Sequence, residues 1–293
     1  MLVERDKCPI CSTEQLEVFL TAVDYTVSHE TFTIVKCVGC GFHFTNPVPS
    51  KDVIGKYYKS ESYVSHSSSS KGIINKIYLQ VRKYTLKKKL KLIQKEAKGK
   101  ALLDVGAGTG HFLNVCQLNG FESLGLEPDD DARIFAKSNF SLELIPSQQL
   151  HNLPDKSRDV ITMWYVLEHV YDLRNDLAKI TSVLKDDGVL IVAVPNMNSY
   201  DAKHYKEFWA AYDLPIHLYH FTPNDIKNLF KQYNFRIDKI LPMKFDSFYV
   251  SMLSEKNKGG NLFKAFLVGL KSNWQAKTDS YSSQIYILRR KTH

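Results

Sequence analysis

No apolar run in the 293 residues reaches the ~18 that a helix needs to cross a bilayer. The opening residues, MLVERDKC, carry no apolar core of a secretion signal. A cytoplasmic protein is therefore expected. Cysteine is scarce, with five residues in all; that is too few for a disulfide-stapled scaffold, and a reducing compartment would leave them as thiols or metal ligands. Acidic residues are outnumbered, 31 against 39 Lys and Arg, for a net charge of +8. No internal repeat is visible, and the one low-complexity stretch is a short serine run at 65–71. A hydrophobic content of 44% with 24% charged residues excludes a disordered chain. The length allows one large domain or two smaller ones.

Glycine, in contrast, is concentrated where it matters. Residues 102–113 read LLDVGAGTGHFL, so an apolar run ends in Gly106, Gly108 and Gly110 at alternate positions. A helix-like segment follows, then a second apolar run ending in Glu127 and Pro128. This is a strand, a tight glycine turn, a helix and a second strand tipped by a carboxylate, a unit suited to an adenosine-containing cofactor. A dinucleotide fingerprint, G-x-G-x-x-G, would put its third glycine at His111; here it comes one residue earlier.

The pattern [DE]-x-G-x-G-x-G after a strand resembles that of class I S-adenosylmethionine (SAM) methyltransferases. The resemblance implies that the loop passes under the methionine and ribose of SAM and that the acid on the second strand accepts the ribose hydroxyls. By position those roles fall to Asp104, Gly106, Ala107, Gly108, Gly110, Glu127 and Pro128. It also implies an α/β fold, a Rossmann-like seven-stranded and mostly parallel sheet with helices on both faces. The alternation after residue 100 predicts the same layers. Strands are expected at 101–105, 123–126, 142–145, 159–165, 189–194, 236–241 and 284–288. Helices are expected near 110–119, 129–138, 172–184 and 223–233, the last capped by Thr222 ahead of Pro223. Ligands gather outside the carboxyl ends of such strands. That rule adds Met163 and Trp164 after the fourth strand, and Ser147 and Gln148 beside the adenine.

Cys8, Cys11, Cys37 and Cys40 form C-x2-C…C-x2-C with 25 residues between the pairs. Two such knuckles present four thiolates to one tetrahedral ion, which reads as a structural Zn2+ site. Residues 15–20 and 31–36 between them read as a hairpin. The expected organisation is a zinc-ribbon-like module at 1–50, a linker with lid or helical character at 51–98, and a SAM methyltransferase domain at 99–293 with an insertion at 246–280. Within the linker, 57–63 is tyrosine-rich, 65–71 reads as a flexible link or lid, and 73–98 as a helix. Its lysines, 82–98, read as a solvated face, with an anionic partner as the alternative. The segment 261–274 is amphipathic, fit either to pack on the sheet or to serve as a lid or interface helix.

Acid–base chemistry is assigned to histidines. His169 follows Glu168 beyond the fourth strand, in a VLEH run of the kind found in small-molecule members of the family. The connection 196–222 is aromatic-rich and holds His217 and His220. His217-x-x-His220-Phe-Thr222 is loosely similar to a His-x-x-Tyr-Phe-Ser element of zinc-containing sugar C-methyltransferases, with His220 in the tyrosine position and Ile216 in place of a glutamate. His217 is the first choice of base, with His169 and His220 behind it. Metal binding by His217 and His220 is not expected, because no carboxylate or cysteine near them in the sequence completes a set.

The implied activity is SAM-dependent methyl transfer to an oxygen or carbon of a small metabolite, such as a sugar, lipid or quinone-like acceptor. The alternatives are an RNA or nucleic-acid methyltransferase that uses the zinc module and basic helix, and a non-catalytic SAM-binding protein. Nucleic acid is not the expected partner: the lysines at 82–98 are not interleaved with stacking aromatics, and no Asn-Pro-Pro-Tyr-like motif follows the fourth strand.

Overall fold

The computed structural model describes residues 1–58, 73–277 and 279–291, with backbone only for 73–78. The expected lid at 60–72 lies outside the described residues. The N-terminal part holds β1 (Leu2–Val3), β2 (Leu16–Val23), β3 (Thr31–Cys37), β4 (His43–Thr45) and β5 (Val48–Pro49). A long helix, α1 (Ile73–Glu96), leads into β6 (Ala101–Val105), α2 (His111–Leu118), β7 (Glu122–Leu126), α3 (Asp130–Phe140) and β8 (Leu144–Ile145). Then come β9 (Arg158–Trp164), α4 (Leu173–Val183), β10 (Leu184–Pro195), α5 (Tyr200–Tyr205) and β11 (Tyr219–His220). The chain closes with α6 (Pro223–Lys231), β12 (Phe235–Pro242), α7 (Asp246–Lys258), α8 (Leu262–Gln275) and β13 (Ser283–Arg290).

Seven strands form the central sheet in the order β12-β13-β10-β9-β6-β7-β8. Strand β13 runs antiparallel to both of its neighbours, and the other pairings are parallel. The expected Rossmann-like sheet is thus present. The middle strands are apolar on both faces, as strands covered from both sides must be. Alternation then divides the core. Leu103, Val105, Ile161, Met163, Val192 and Leu288 face α4, α6 and the N-terminal module. Leu102, Val160, Trp164, Ile191 and Ile287 face α1 and α2. Two strands start two or more residues from where they are expected. The third strand shortens to Leu144–Ile145, because Leu142 turns instead into the core beside Gly110. The fifth begins at Leu184, with Asp187 and Gly188 inside an irregular stretch of its register rather than in a preceding turn.

Helix α1 is fixed to the sheet by a buried acid. Glu96, 5% exposed, accepts from Lys239 of β12 at 2.8 Å and Arg289 of β13 at 3.1 Å. Helix α6 starts with the expected cap, a reciprocal pair between Thr222 and Asp225.

The cysteine hairpin is built into the rest of the chain. Its sheet runs β11-β4-β3-β2, so a strand from the 196–222 connection completes it. Tyr219 pairs with Phe44, and His220 with His43. Arg174 of α4 donates to the carbonyls of Pro9 and Ile10 and to the Ser12 hydroxyl. Arg5 donates to the Tyr219 hydroxyl at 2.6 Å and lies over the rings of Tyr171 and Tyr219. Phe42, Phe44 and Val48 join the same core as the sheet.

Candidate functional site

The loop after β6 turns on three glycines with left-handed backbone, φ +71° at Gly106, +53° at Gly108 and +78° at Gly110. That region is strained for side-chain-bearing residues. The neighbourhoods differ. A Cβ on Gly106 would lie 2.4 Å from Cγ2 of Val166, whereas one on Gly108 would meet nothing within 4 Å. The backbone at Gly108 is therefore open to a ligand, while Gly106 is pressed against the segment after β9.

Glu127, at the tip of β7, is 6% exposed. Its carboxylate accepts from the Gly108 N–H at 2.7 Å and the Asp129 N–H at 3.0 Å. Burial raises its pKa, opposed by these two hydrogen bonds. Each oxygen has used one lone-pair site and keeps another, so the group can still accept ligand hydroxyls beside the open backbone of Gly108. The loop and acid therefore fit an adenosine ribose. Ser147 and Gln148 begin a 3-10 turn at Ser147–Asn152, with Ser147 half-buried and Gln148 exposed.

Asp104 faces the α1 side of the sheet. It is 2% exposed and accepts from the Thr162 hydroxyl at 2.5 Å. Burial pushes it up to about 7, against the Thr162 hydrogen bond and the charge of Lys89. Lys89 comes from the lysine-rich helix, and burial brings it down to about 8. Its Nζ lies 4.2 Å from the centre of the Trp164 ring, a cation–π contact in a desolvated setting. One lysine of the helix expected to be solvated thus reaches the underside of the glycine loop. Trp164 sits on this face, whereas the fully buried Met163 points into the opposite core layer. Thr162, Lys89 and Val166 were not singled out in the sequence. The register that pairs Asp104 with Thr162 follows from aligning β6 with β9.

The histidines divide into two groups. His220, 3% exposed, has Nε2 at 3.1 Å from the Thr45 hydroxyl. That hydroxyl gives its proton to the His217 carbonyl at 2.7 Å, so His220 must be the donor to Thr45. His169 and His217 instead meet edge to face, 4.6 Å between ring centres. Nδ1 of His169 donates to the Ile216 carbonyl at 3.0 Å, and Nδ1 of His217 to the Ala211 carbonyl at 2.9 Å. A carbonyl only accepts, so each ring carries its proton on Nδ1 and leaves Nε2 as a base. Tyr58 adds a contact to His169 at 3.1 Å.

Glu168 completes this group. It is 1% exposed, and neither carboxylate oxygen has a hydrogen-bond partner. One ligand atom each from Glu168, His169 and His217 lie within 4.8 Å of one another. This corrects the expectation that no carboxylate lies near His217: Asp213 is 4.0 Å from its Nε2, and Glu168, 49 positions earlier, is brought there by the packing of the 3-10 turn Leu167–His169 against β11. Burial pushes Glu168 up to about 8 and His169 down to about 4. Burial, with neighbouring histidines, takes His217 well below its ordinary value. Burial thus favours the uncharged form of all three groups, and Asp213, itself pushed up by burial to about 7, faces Nε2 of His217 at 4.0 Å. The two Nε2 atoms are the proton acceptors of the group, and its donor set also suits a divalent cation.

The four hairpin thiols converge as well. Sγ of Cys8 and Cys40 are 3.6 Å apart, and those of Cys11 and Cys37 are 3.4 Å apart. Zn–S bonds of about 2.3 Å set a tetrahedral edge of about 3.8 Å, so the quartet fits one such ion with little movement.

Residues 78–240 match the family model described as a methyltransferase domain. A probable S-adenosylmethionine-dependent methyltransferase of Mycobacterium tuberculosis is 26% identical over 97 residues. That stretch is 32% of this chain and only 35% of the length of that relative. Among solved structures, magnesium protoporphyrin IX methyltransferase from Synechocystis PCC 6803 with bound SAH superposes with a TM-score of 0.54 at 14% identity, covering 83% of this chain and all of that one. A SAM-dependent methyltransferase from Archaeoglobus fulgidus gives 0.50 at 21% identity, over 71% of this chain and 94% of its own. At these identities the superpositions show a shared fold.

The two loop glycines make unequal demands, which denaturant unfolding can measure. Gly108→Ala should cost about 1 kcal/mol, the strain of a left-handed alanine alone. Gly106→Ala should cost about 3 kcal/mol or more, since the stiff Val166 side chain must also give way. Equal losses would contradict the packing of Val166 under the loop.

Proposed function

The chain belongs to the methyltransferase-domain family, and we propose that it is a SAM-dependent methyltransferase acting on an oxygen or carbon of a small sugar, lipid or quinone-like metabolite. SAM would be held by the loop Asp104, Gly106, Ala107, Gly108 and Gly110, by Glu127 and Pro128, and at its margins by Ser147, Gln148 and Trp164. Met163, wholly buried, would contribute no side-chain contact. Cofactor binding supplies a sulfonium-activated methyl group. The protein's part is to align the acceptor with it and to take up the acceptor's proton. Alignment accounts for most of the barrier reduction in such displacements, several kcal/mol.

The observation that carries the acceptor side of this reading is the cluster of Glu168, His169 and His217. Buried polar groups ordinarily have partners. An unpartnered glutamate beside two imidazoles whose Nε2 atoms make no hydrogen bond, that of His217 facing the Asp213 carboxylate at 4.0 Å, suits an incoming hydroxyl or carbon acid. His217 would be the base, oriented by the Ala211 carbonyl. His220 would act as a structural support, since its Nε2 is committed to Thr45. The unpartnered glutamate also favours a second reading, a divalent cation held by Glu168 and the two Nε2 atoms. Each ring then gives its other N–H to a backbone carbonyl, as metal-bound histidines commonly do. At the other end of the module, Cys8, Cys11, Cys37 and Cys40 would hold structural zinc, and binding would contribute on the order of 10 kcal/mol to folding there.

Glu127→Ala should weaken SAM binding at least about tenfold in calorimetry, the loss of two charge-assisted hydrogen bonds; undiminished affinity would move the ribose elsewhere. In a labelled-methyl screen of host extracts, His217→Ala should lower turnover by about 100-fold or more while SAM affinity holds. Turnover near wild type would take the base role from His217. Elemental analysis should find one zinc per chain, lost in Cys11→Ser. A second equivalent that disappears in Glu168→Gln would select the cation reading over the base.

A further inference from the structure

The helix α8 (Leu262–Gln275) is mounted with its amphipathic character reversed. Its inward face is small: Ala265, Val268, Gly269 and Ser272 are buried. The fit is close, since a Cβ on Gly269 would meet the Phe248 backbone at 2.9 Å. Ser247 donates to the Gly269 carbonyl at 3.1 Å, and Ser272 donates to the buried Asp201 at 2.6 Å. These bonds fix which face looks inward. The large apolar side chains then point to solvent. Phe263 is 71% exposed, Phe266 54%, Leu267 46%, Leu270 50% and Trp274 82%. Their spacing, i, i+3, i+4, i+7 and i+11, makes one continuous stripe along the helix. Single exposed apolar residues are ordinary, but a contiguous stripe marks a surface that something covers.

Charge identifies the cover. Between residues 246 and 277 the two acids, Asp246 and Glu255, are withdrawn from the surface, Glu255 to 4% exposed and Asp246 into partial burial. The five lysines of the same stretch, Lys256, Lys258, Lys264, Lys271 and Lys277, are all exposed. Every fully exposed charge on this helical pair is therefore positive, in a chain whose net charge is already +8. A large apolar stripe edged by lysines, with a tryptophan near its end, is the composition that lies flat in the headgroup region of a membrane. A protein partner would more often meet mixed charge, whereas anionic headgroups complement a face of one sign.

We propose that α8 docks this protein reversibly on an anionic phospholipid bilayer, with the apolar stripe in the interface and the lysines on the headgroups. The attachment is peripheral, in keeping with the lack of any helix among the described residues long and apolar enough to span a membrane. It is independent of the reading of the acceptor site.

The test is co-sedimentation of the full chain with vesicles of phosphatidylcholine, with and without phosphatidylglycerol, and with tryptophan emission followed in parallel. Trp164 and Trp209 are buried at 8% and 2% exposed, so a blue shift on binding would come from Trp274. The wild type should bind the phosphatidylglycerol vesicles, weaken as salt rises, and shift its emission. The F263S/F266S double variant should bind at least tenfold more weakly. Phe263 faces solvent while Phe266 also stacks on Phe248, 5.5 Å between ring centres, so the melting temperature of the variant is measured alongside, and K264E/K271E, which removes no apolar side chain, offers a second disruption through charge alone. Wild-type protein that stays in the supernatant, or variants that bind as well as wild type, would overturn the proposal. So would light scattering that shows a dimer in solution broken by F263S/F266S, since a second copy would then cover the face.

Discussion

The hydrogen bond from the Gly108 N–H to the Glu127 carboxylate, 2.7 Å long, joins the two turns on which the rest of the site depends. One turn needs positive φ at three glycines, and the other needs a carboxylate held out of solvent at a strand tip. Parallel pairing of β6 with β7 brings both to the same edge of the sheet. The bond keeps the loop backbone turned outward at Gly108, while Val166 closes it from below at Gly106. Asp104, Thr162 and Lys89 then support the loop from the α1 side. None of these contacts selects an acceptor.

The cluster proposed to meet the acceptor comes from a second convergence, with a different origin. The strand Tyr219–His220 leaves the region of the parallel sheet to complete the sheet of the cysteine hairpin. That excursion carries His217 against the 3-10 turn holding Glu168 and His169. The N-terminal module is therefore a wall of the cluster of Glu168, His169 and His217 as well as a candidate zinc site.

Much of this was legible in the sequence for local reasons. The glycine spacing, Glu127, the paired C-x2-C knuckles and the Thr222 cap each depend on a few neighbouring residues, and each is present. The partnership of Glu168 with His217 was not legible, because it depends on β11 pairing with β4, two strands far apart in the chain. Lys89 was read as one of many solvated lysines; only the crossing of α1 over Trp164 singles it out. The periodicity of 261–274 showed an amphipathic helix correctly, but periodicity does not say which face turns inward. Gly269, close against α7, and Ser272, bonded to Asp201 of α5, decide that. Likewise, strand alternation separates Met163 from Trp164, two neighbours expected to act together.

Taken together, a glycine loop and carboxylate that fit the ribose of a methyl donor are joined to a cluster of Glu168, His169 and His217 that the hairpin helps to build, on a molecule whose C-terminal helix faces solvent with its apolar side. The central claim is the place of the donor. A crystal structure with S-adenosylhomocysteine tests it most directly. Both ribose hydroxyls should lie within about 3.2 Å of the Glu127 carboxylate, with the ligand backbone over Gly108. A ribose turned away from Glu127, or a ligand bound at another edge of the sheet, would contradict the account.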